Sequence, residues 1–511
     1  MKHKSGQDRN QLFFTSFDQL VKPDAFARII DVLIDTFPME ELGFQHIQLN
    51  EQGNTPYHPA DLLKLLIYGQ RFGIRSANKL HHACSVNVEI IWLLNGLQPS
   101  PRTICYFRTQ NKQAIIQAHR FFVKKLQEWK LITGAIIALD STKVRGQNSL
   151  KNNFNQKKIN RHLEYIDGKM EQYIQQLTDC RSVKDAEVLE DKLEDLHQRK
   201  EFYQDMKKQV DQSPDGQIST TDPDARAVIK HRNIVEVGYN IQLTADEKHN
   251  LIVDVFTGGV TDRADLALAA KRTQALLGKE KFEMLADKGY YNGADIAYCE
   301  RKGIRTFIPP PNQHHQKEPG FRKKDFIYHP ITDTFQCPAG QHLQYELTFK
   351  RQNNRRFYRV KRYGTDQCQH CPLAKKCTSA KAGRKIERPN HQANADRNNA
   401  RVKRYPDFYR LRQQIVEPIF GVLKRQWHFD HVIHKSRPKV ELEVSLASLT
   451  YNIMRAINIL GINGLLKQVL GRFIRYFRCY IHYQTRQQGI VFRSGAIKFS
   501  TEQANYGCEV V

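Results

Sequence analysis

Three acidic residues could together hold metal ions, although they lie far apart along the chain. Asp140 ends the apolar run Gly134-Ala-Ile-Ile-Ala-Leu139, Asp287 ends a second such run, and Glu417 lies in a late helical segment. Three carboxylates within a few ångströms repel, by about 4 kcal/mol for one pair at 4 Å and an effective dielectric of 20. Divalent cations relieve that repulsion, and open sites of oxygen ligands suit Mg²⁺ or Mn²⁺. Two such ions can activate the attacking oxygen and stabilise the leaving oxygen of a phosphodiester, so these acids predict a nuclease or strand-transfer site.

The segments around these acids predict a mixed sheet and therefore an α/β fold. Hydrophobic residues form short runs or alternate with polar ones in the segments expected to be strands, and they recur at helical spacing between them. The expected strands are 134–140, 235–243, 251–256, 282–286 and 304–308, and the expected helices between them are 265–277 and 292–302. This order places Asp140 and Asp287 at the ends of neighbouring strands.

Two other regions have the spacing of helices. Residues 1–130 predict a helical domain that either reads DNA or is an ordinary bundle. Within residues 150–215, hydrophobic residues step by three and four along two stretches, which predicts a coiled helical hairpin inserted for packing or dimerisation. Residues 461–511 form a basic tail.

The chain is strongly cationic and long enough for several domains. Its 511 residues include 79 Lys and Arg against 53 Asp and Glu, a net charge of +26 at pH 7, and 40% are hydrophobic. That apolar share excludes wholesale disorder, and no apolar run approaches the roughly 18 residues of a membrane helix. We therefore expect a soluble cytoplasmic protein with a polyanionic partner, most simply nucleic acid.

Four cysteines cluster in a second insertion, residues 309–400. Cys337, Cys368, Cys371 and Cys377 lie within 41 residues of sequence and include a Cys-x-x-Cys pair. In an intracellular protein, such soft ligands suggest a structural Zn²⁺ site, whereas free thiols are the alternative.

Between these cysteines lies a basic segment, residues 349–363, with seven Lys or Arg and no acidic residue. Its alternating pattern predicts a two-stranded ribbon with a cationic face that contacts DNA phosphates, although a merely solvated run of charge is the alternative. The expected DNA-binding residues are Arg355, Arg356, Arg359, Lys361 and Arg362.

Sequence blocks in a fixed order resemble bacterial insertion-sequence transposases of the DDE class, in the branch named after insertion sequence eleven-eighty-two. The resemblance covers about residues 13–459. The blocks are Gly53-Asn-Thr-Pro-Tyr-His-Pro59, Pro101-Arg-Thr-Ile-Cys-Tyr-Phe-Arg108, Leu139-Asp-Ser-Thr142, Thr221-Asp-Pro-Asp-Ala-Arg226, Val237-Gly-Tyr-Asn-Ile-Gln242, Ala286-Asp-Lys-Gly-Tyr-Tyr291, Val416-Glu-Pro-Ile-Phe-Gly-Val-Leu-Lys424 and Tyr451-Asn452.

The resemblance implies an RNase H-like catalytic domain over residues 131–460, with Asp140, Asp287 and Glu417 as a magnesium-binding triad. It implies that the protein binds the inverted-repeat ends of its element, cuts there and joins the freed 3′-hydroxyl to target DNA. Paired ends favour a homodimer on double-stranded DNA, in the bacterial cytoplasm and near the nucleoid. A catalytically inactive DNA-binding derivative and a general RNase H-like nuclease remain the alternatives.

The chain departs from the wider superfamily's Tyr–Arg–Glu–Lys signature at one position. The arginine of that signature lies four residues before the glutamate, where this chain has Gln413. Tyr409 and Arg412 lie eight and five residues before Glu417, whereas Lys424 keeps its spacing. Arg412 and Lys424 are expected to hold phosphate.

Overall fold

The computed structural model contains both helices and strands and describes residues 15–49, 55–213, 215–229, 235–311, 320–353 and 356–488. The described helices are α1 (Phe17–Leu20), α2 (Phe26–Ile34), α3 (Pro59–Arg71), α4 (Ala77–Val86), α5 (Val88–Leu93), α6 (Pro101–Gln110), α7 (Lys112–Glu128), α8 (Gln156–Asp179), α9 (Val183–Gln212), α10 (Leu266–Leu277), α11 (Gly293–Arg301), α12 (Ala374–Cys377), α13 (Gln392–Arg404), α14 (Pro406–Phe420) and α15 (Arg437–Gln488). The described strands are β1 (Ile136–Arg145), β2 (Asn153–Asn155), β3 (Gln217–Ser219), β4 (Arg226–Ile229), β5 (Val235–Asp246), β6 (Leu251–Thr257), β7 (Phe282–Ala286), β8 (Ile304–Phe307), β9 (Ile327–His329), β10 (Thr334–Gln336), β11 (His342–Asn353), β12 (Arg356–Gly364) and β13 (Ile386–Pro389). The predicted α/β class is confirmed.

The larger sheet has six strands in the order β4-β5-β1-β7-β8, with β6 also paired to β5. β1 runs antiparallel to β5 and parallel to β7, and β7 runs parallel to β8. Leu139 lies opposite Ala286, so Asp140 and Asp287 follow at adjacent positions, and their predicted placement on neighbouring strands is confirmed. The predicted end of β1 at Asp140 is wrong, because pairing with β5 extends β1 to Arg145.

One hydrophobic core joins the N-terminal helices to one face of this sheet. Leu63 of α3 and Phe122 of α7 are fully buried in the same cluster as Ile137 and Met284 of the sheet. A second core on the opposite face packs the sheet against α14 and the first turns of α15. Two-sided coverage explains why β5 and β6 are buried along nearly their whole lengths.

The helices α8 and α9 pack against each other as an antiparallel pair. Ile159 packs with Met206 and Val210, while Ile166 packs near Leu196, so the start of α8 meets the end of α9. This pairing agrees with the three- and four-residue spacing of hydrophobic residues in the sequence.

A smaller sheet has five strands in the order β13-β12-β11-β10-β9. Its hydrophobic core is small and consists of Phe326, Phe335, Leu343, Tyr363 and Ile386. In the described part of the chain, no helix combines the length and the hydropathy that crossing a bilayer requires.

Candidate active site

The first acid of the site, Asp140, is held from the helix that covers the sheet. The Nη1 atom of Arg412 on α14 donates to Asp140 Oδ2 at 2.6 Å. The other oxygen, Oδ1, accepts the backbone N–H of Ser141 at 2.8 Å. The Asp140 side chain is 22% exposed and that of Arg412 is 12% exposed, so this ion pair lies largely out of water.

The second acid, Asp287, caps the short turn that follows β7. Its Oδ1 atom accepts the backbone N–H of Gly289. A Cβ built on Gly289 would lie 2.8 Å from Asp287 Oδ1 and 3.6 Å from Asp262 Oδ2. Glycine at this position therefore leaves room for the capping carboxylate of Asp287.

The charges of Arg412 and Asp287 both act on the Asp140 carboxyl. Burial raises the pKa of Asp140 above its usual range, the Arg412 charge and the Ser141 N–H lower it, and the Asp287 charge raises it further. Burial works to lower the pKa of Arg412, but the charges of Asp140 and Asp287 help to hold it above its usual value. Arg412 is therefore the counter-ion of an acid pair that would otherwise repel itself.

The third predicted acid, Glu417, lies five residues after Arg412 on α14 and is exposed. This helix contacts both β1 and β7. No described contact joins Glu417 to Asp140 or Asp287, so the structure brings two of the three predicted acids together.

The helix α14 is irregular on the C-terminal side of Glu417. Pro418 lies inside the helix and has no N–H for the carbonyl of Gln414, which instead accepts from the side chain of Asn250 at 3.2 Å. A π-helical turn, Gly421–Gln426, follows directly. Such turns are frequent at functional sites, and this one contains Lys424, whose Nζ donates to the backbone oxygen of Lys143 at 3.3 Å.

A buried polar network lies on the opposite face of the sheet, and sequence reasoning missed it. Asp262 accepts from Asn240 Nδ2 at 2.7 Å, from Gln242 Nε2 at 3.0 Å and from Lys143 Nζ at 3.2 Å. The hydroxyl of fully buried Tyr290 donates to Gln242 Oε1. The signal in the sequence was the pair of amide residues in the alternating strand β5, whose polar side faces protein rather than water.

The acid pair fits a divalent ion in ligand type, and one or two carboxylates can hold Mg²⁺ where water and substrate phosphate supply the other ligands. Carboxylate oxygens are the ligands that Mg²⁺ and Mn²⁺ prefer. Within the described ranges, no group of three or more His, Cys, Asp or Glu lies close enough to hold a metal ion.

The predicted DNA-binding residues of the basic segment separate onto two faces of the β11–β12 hairpin. Arg359 is exposed and lies directly opposite Lys350, on the same face as Lys361, which pairs with Asp333 at 2.8 Å. Arg362 lies on the other face and contacts Glu387 at 3.3 Å. Arg355 lies outside the described residues, and of Arg356 only the backbone is described, at the start of β12.

The four clustered cysteines converge in the smaller sheet's region. Cys337, Cys368, Cys371 and Cys377 line one cavity together with Arg384. Burial raises the pKa of the Cys377 thiol, the Arg384 charge lowers it, and the other three cysteines raise it further. The sulfur atoms are therefore near one another, although these described cysteines do not form a group that could hold a metal ion.

Comparison with known proteins gives two matches, and both are to transposase domains. Residues 336–457 match the family model described as transposase DDE domain, and residues 15–110 match the model described as transposase domain (DUF772). No curated protein and no solved structure matches the chain. The first match includes Glu417. Asp140 and Asp287 lie outside it, because both precede its first residue. Together the two matches support a DDE transposase.

Proposed function

We propose that this protein is a DNA transposase that binds the inverted-repeat ends of its element, cuts there and joins the 3′-hydroxyl ends to target DNA. The observation that carries this proposal is the adjacent placement of Asp140 and Asp287, directly after the last paired residues of two neighbouring parallel strands and beneath a helix that bears Glu417. The antiparallel and parallel pairings around β1 support an RNase H-like core for residues 131–460.

In this proposal, Asp140, Asp287 and Glu417 hold Mg²⁺ or Mn²⁺. Bound in pairs, such ions activate the attacking oxygen and stabilise the leaving oxygen of a phosphodiester. Glu417 would approach the two aspartates by a rotation or shift of α14, whose Pro418 and π-helical turn interrupt regular helix geometry. Lys424, next to β1, would contact a DNA phosphate beside the acids. The proposed reaction needs no protein nucleophile, because water attacks the phosphodiester first and a DNA 3′-oxygen attacks in the joining step.

DNA recognition in this proposal uses the N-terminal helices and the cationic hairpin. Two protomers would hold two element ends, and the α8–α9 pair offers a surface for self-association. The net charge of +26 supports double-stranded DNA as the partner.

The experiment is a cleavage assay on duplexes made from the DNA that flanks the gene, with and without Mg²⁺. Metal-dependent cuts at the element ends, followed by joining to a second duplex, are expected. Nicking of supercoiled plasmid without preference for the ends would favour the nuclease instead. End binding without cleavage would favour the inactive DNA-binding derivative.

The hairpin face that carries Lys350 and Arg359 should contact DNA phosphates. Both side chains are exposed and lie opposite each other across the two strands. Replacing both by alanine should reduce the slope of log affinity against log salt by about 2, because each phosphate contact contributes roughly 0.9. Titration of a fluorescent duplex at several salt concentrations measures this slope.

A matched control exists on the other face of the same hairpin. Arg351 and Arg362 both contact Glu387, so their charges are already partly neutralised. Arg351→Ala with Arg362→Ala removes the same formal charge and should change the slope by less than half as much. Equal slopes for the two double variants would argue against a specific DNA-contacting face.

For the four cysteines we propose a structural zinc ion. Cysteine thiolates are ligands that suit zinc. In the described part of the smaller sheet, the hydrophobic core has only five buried side chains, so a bound metal would add stability that this core does not supply. Purified protein should carry roughly one equivalent of zinc, and Cys371→Ser should lose it. Cys105→Ser, at an exposed cysteine far from the cluster in sequence, should keep it. A wild-type zinc content below half an equivalent by elemental analysis would contradict the proposal.

A further inference from the structure

Both oxygens of Asp140 already have a partner, and only one of these partners can leave easily. Oδ1 accepts the N–H of Ser141, which the pairing of β1 with β5 fixes in place. Oδ2 accepts from Arg412, a side chain on the covering helix. A cation that approaches Asp140 from the open side of the pair must therefore compete with Arg412.

Arg412 also has hydrogen-bonding capacity that its present contacts leave unused. Its Nε atom is buried and has no hydrogen-bond partner among the described residues. A guanidinium can donate two parallel hydrogen bonds to a phosphate, and burial strengthens such charge-assisted bonds. An arriving phosphate could thus satisfy Nε and replace the charge of Asp140 as the partner of Arg412.

We propose that Arg412 is an exchangeable counter-ion, which neutralises Asp140 in the metal-free protein and moves to a phosphate of the DNA backbone when DNA and a divalent ion bind. This inference rests on the proposed function, because it takes DNA as the source of the phosphate. DNA and metal then bind cooperatively, since the phosphate that attracts Arg412 also vacates Asp140 for the metal. Linkage requires that each ligand raises the affinity for the other by the same factor.

The test measures Mn²⁺ binding directly, by electron paramagnetic resonance of the free ion, with and without a duplex of arbitrary sequence. Each protein is also measured with Asp140→Asn added. The difference between the two measurements gives the Mn²⁺ binding that depends on Asp140. In wild-type protein the duplex should raise the Mn²⁺ affinity by about tenfold, within the usual range of coupling between two ligands. Arg412→Gln should bind Mn²⁺ about tenfold more tightly without DNA, and the duplex should add little.

Two variants on the same helix serve as controls. Arg412→Lys keeps the charge and should keep the weaker, DNA-dependent binding of Mn²⁺. Arg410→Gln removes a charge from an exposed arginine that pairs with Asp407, and it should behave as wild type. Thermal melting of each variant checks that it is folded.

Equal Mn²⁺ affinity of wild type and Arg412→Gln without DNA would overturn the exchange while leaving the proposed function standing. If no variant shows Mn²⁺ binding that depends on Asp140, with or without DNA, the metal site of the proposed function fails as well.

Discussion

Asp140→Asn should lower the rate of metal-dependent DNA cleavage by about 10³-fold or more, measured under conditions in which the variant is folded. Asparagine keeps the shape of aspartate but removes the charge that a divalent ion requires. The change should also lower the free energy of unfolding, because Arg412 loses its largely buried counter-ion, although Asp287 still lies near its charge. Cleavage rates on an end-containing duplex, together with thermal melting, test both parts.

The matched control is Asp407→Asn on α14. The Asp407 side chain is 87% exposed and belongs to no acid pair. Its cleavage rate should stay within about twofold of wild type, and its melting temperature should not change. Cleavage by Asp140→Asn at more than a tenth of the wild-type rate would remove Asp140 from the catalytic site.

Glu443→Gln should lower the free energy of unfolding by about 3–5 kcal/mol. Glu443 lies on α15 with only 4% of its side chain exposed, and it pairs with Arg75 from the N-terminal region. Its carboxylate also accepts the N–H groups of Ile433 and His434. Burial works to raise the pKa of Glu443, but the hydrogen bond from His434 and the Arg75 charge hold it below its usual range, so the charged form is present at neutral pH.

Urea denaturation of the variant and of wild type measures the loss. Removing the charge leaves the guanidinium of Arg75 buried without its counter-ion, which is why the expected cost is large. The exposed pair of Arg410 with Asp407 gives the comparison, since Asp407→Asn should cost less than about 0.5 kcal/mol. A loss below about 1 kcal/mol for Glu443→Gln would mean that this buried pair does not hold the two regions together.

The sheet could be predicted from the sequence because its strands are short apolar or alternating segments with clear ends. Asp287 follows such a run, and the order of strands and helices predicts its position beside Asp140. The extension of β1 beyond Asp140 could not be predicted in this way. It depends on pairing with β5, which lies about a hundred residues further along the chain.

The contacts of the candidate site were less predictable than its acids. Spacing on α14 identifies Glu417 and Arg412 as candidates, but it does not give the rotation of that helix about its axis. The rotation is set by the packing of Ile415, Val416 and Ile419 on the sheet. This rotation directs Arg412 onto Asp140, whereas the sequence predicts a phosphate contact for that arginine. It also leaves Glu417 exposed.

The late position of α15 has a consequence for synthesis on the ribosome. Leu446 and Leu449 of this helix complete the core shared with the N-terminal helices, while Val440 and Val444 complete the core on the other face of the sheet. Neither core can form completely before this segment has left the ribosome. Until then, apolar surface of the earlier helices and strands remains exposed. Chains that end prematurely before α15 should therefore be degraded or aggregate rather than persist as partial, DNA-binding fragments.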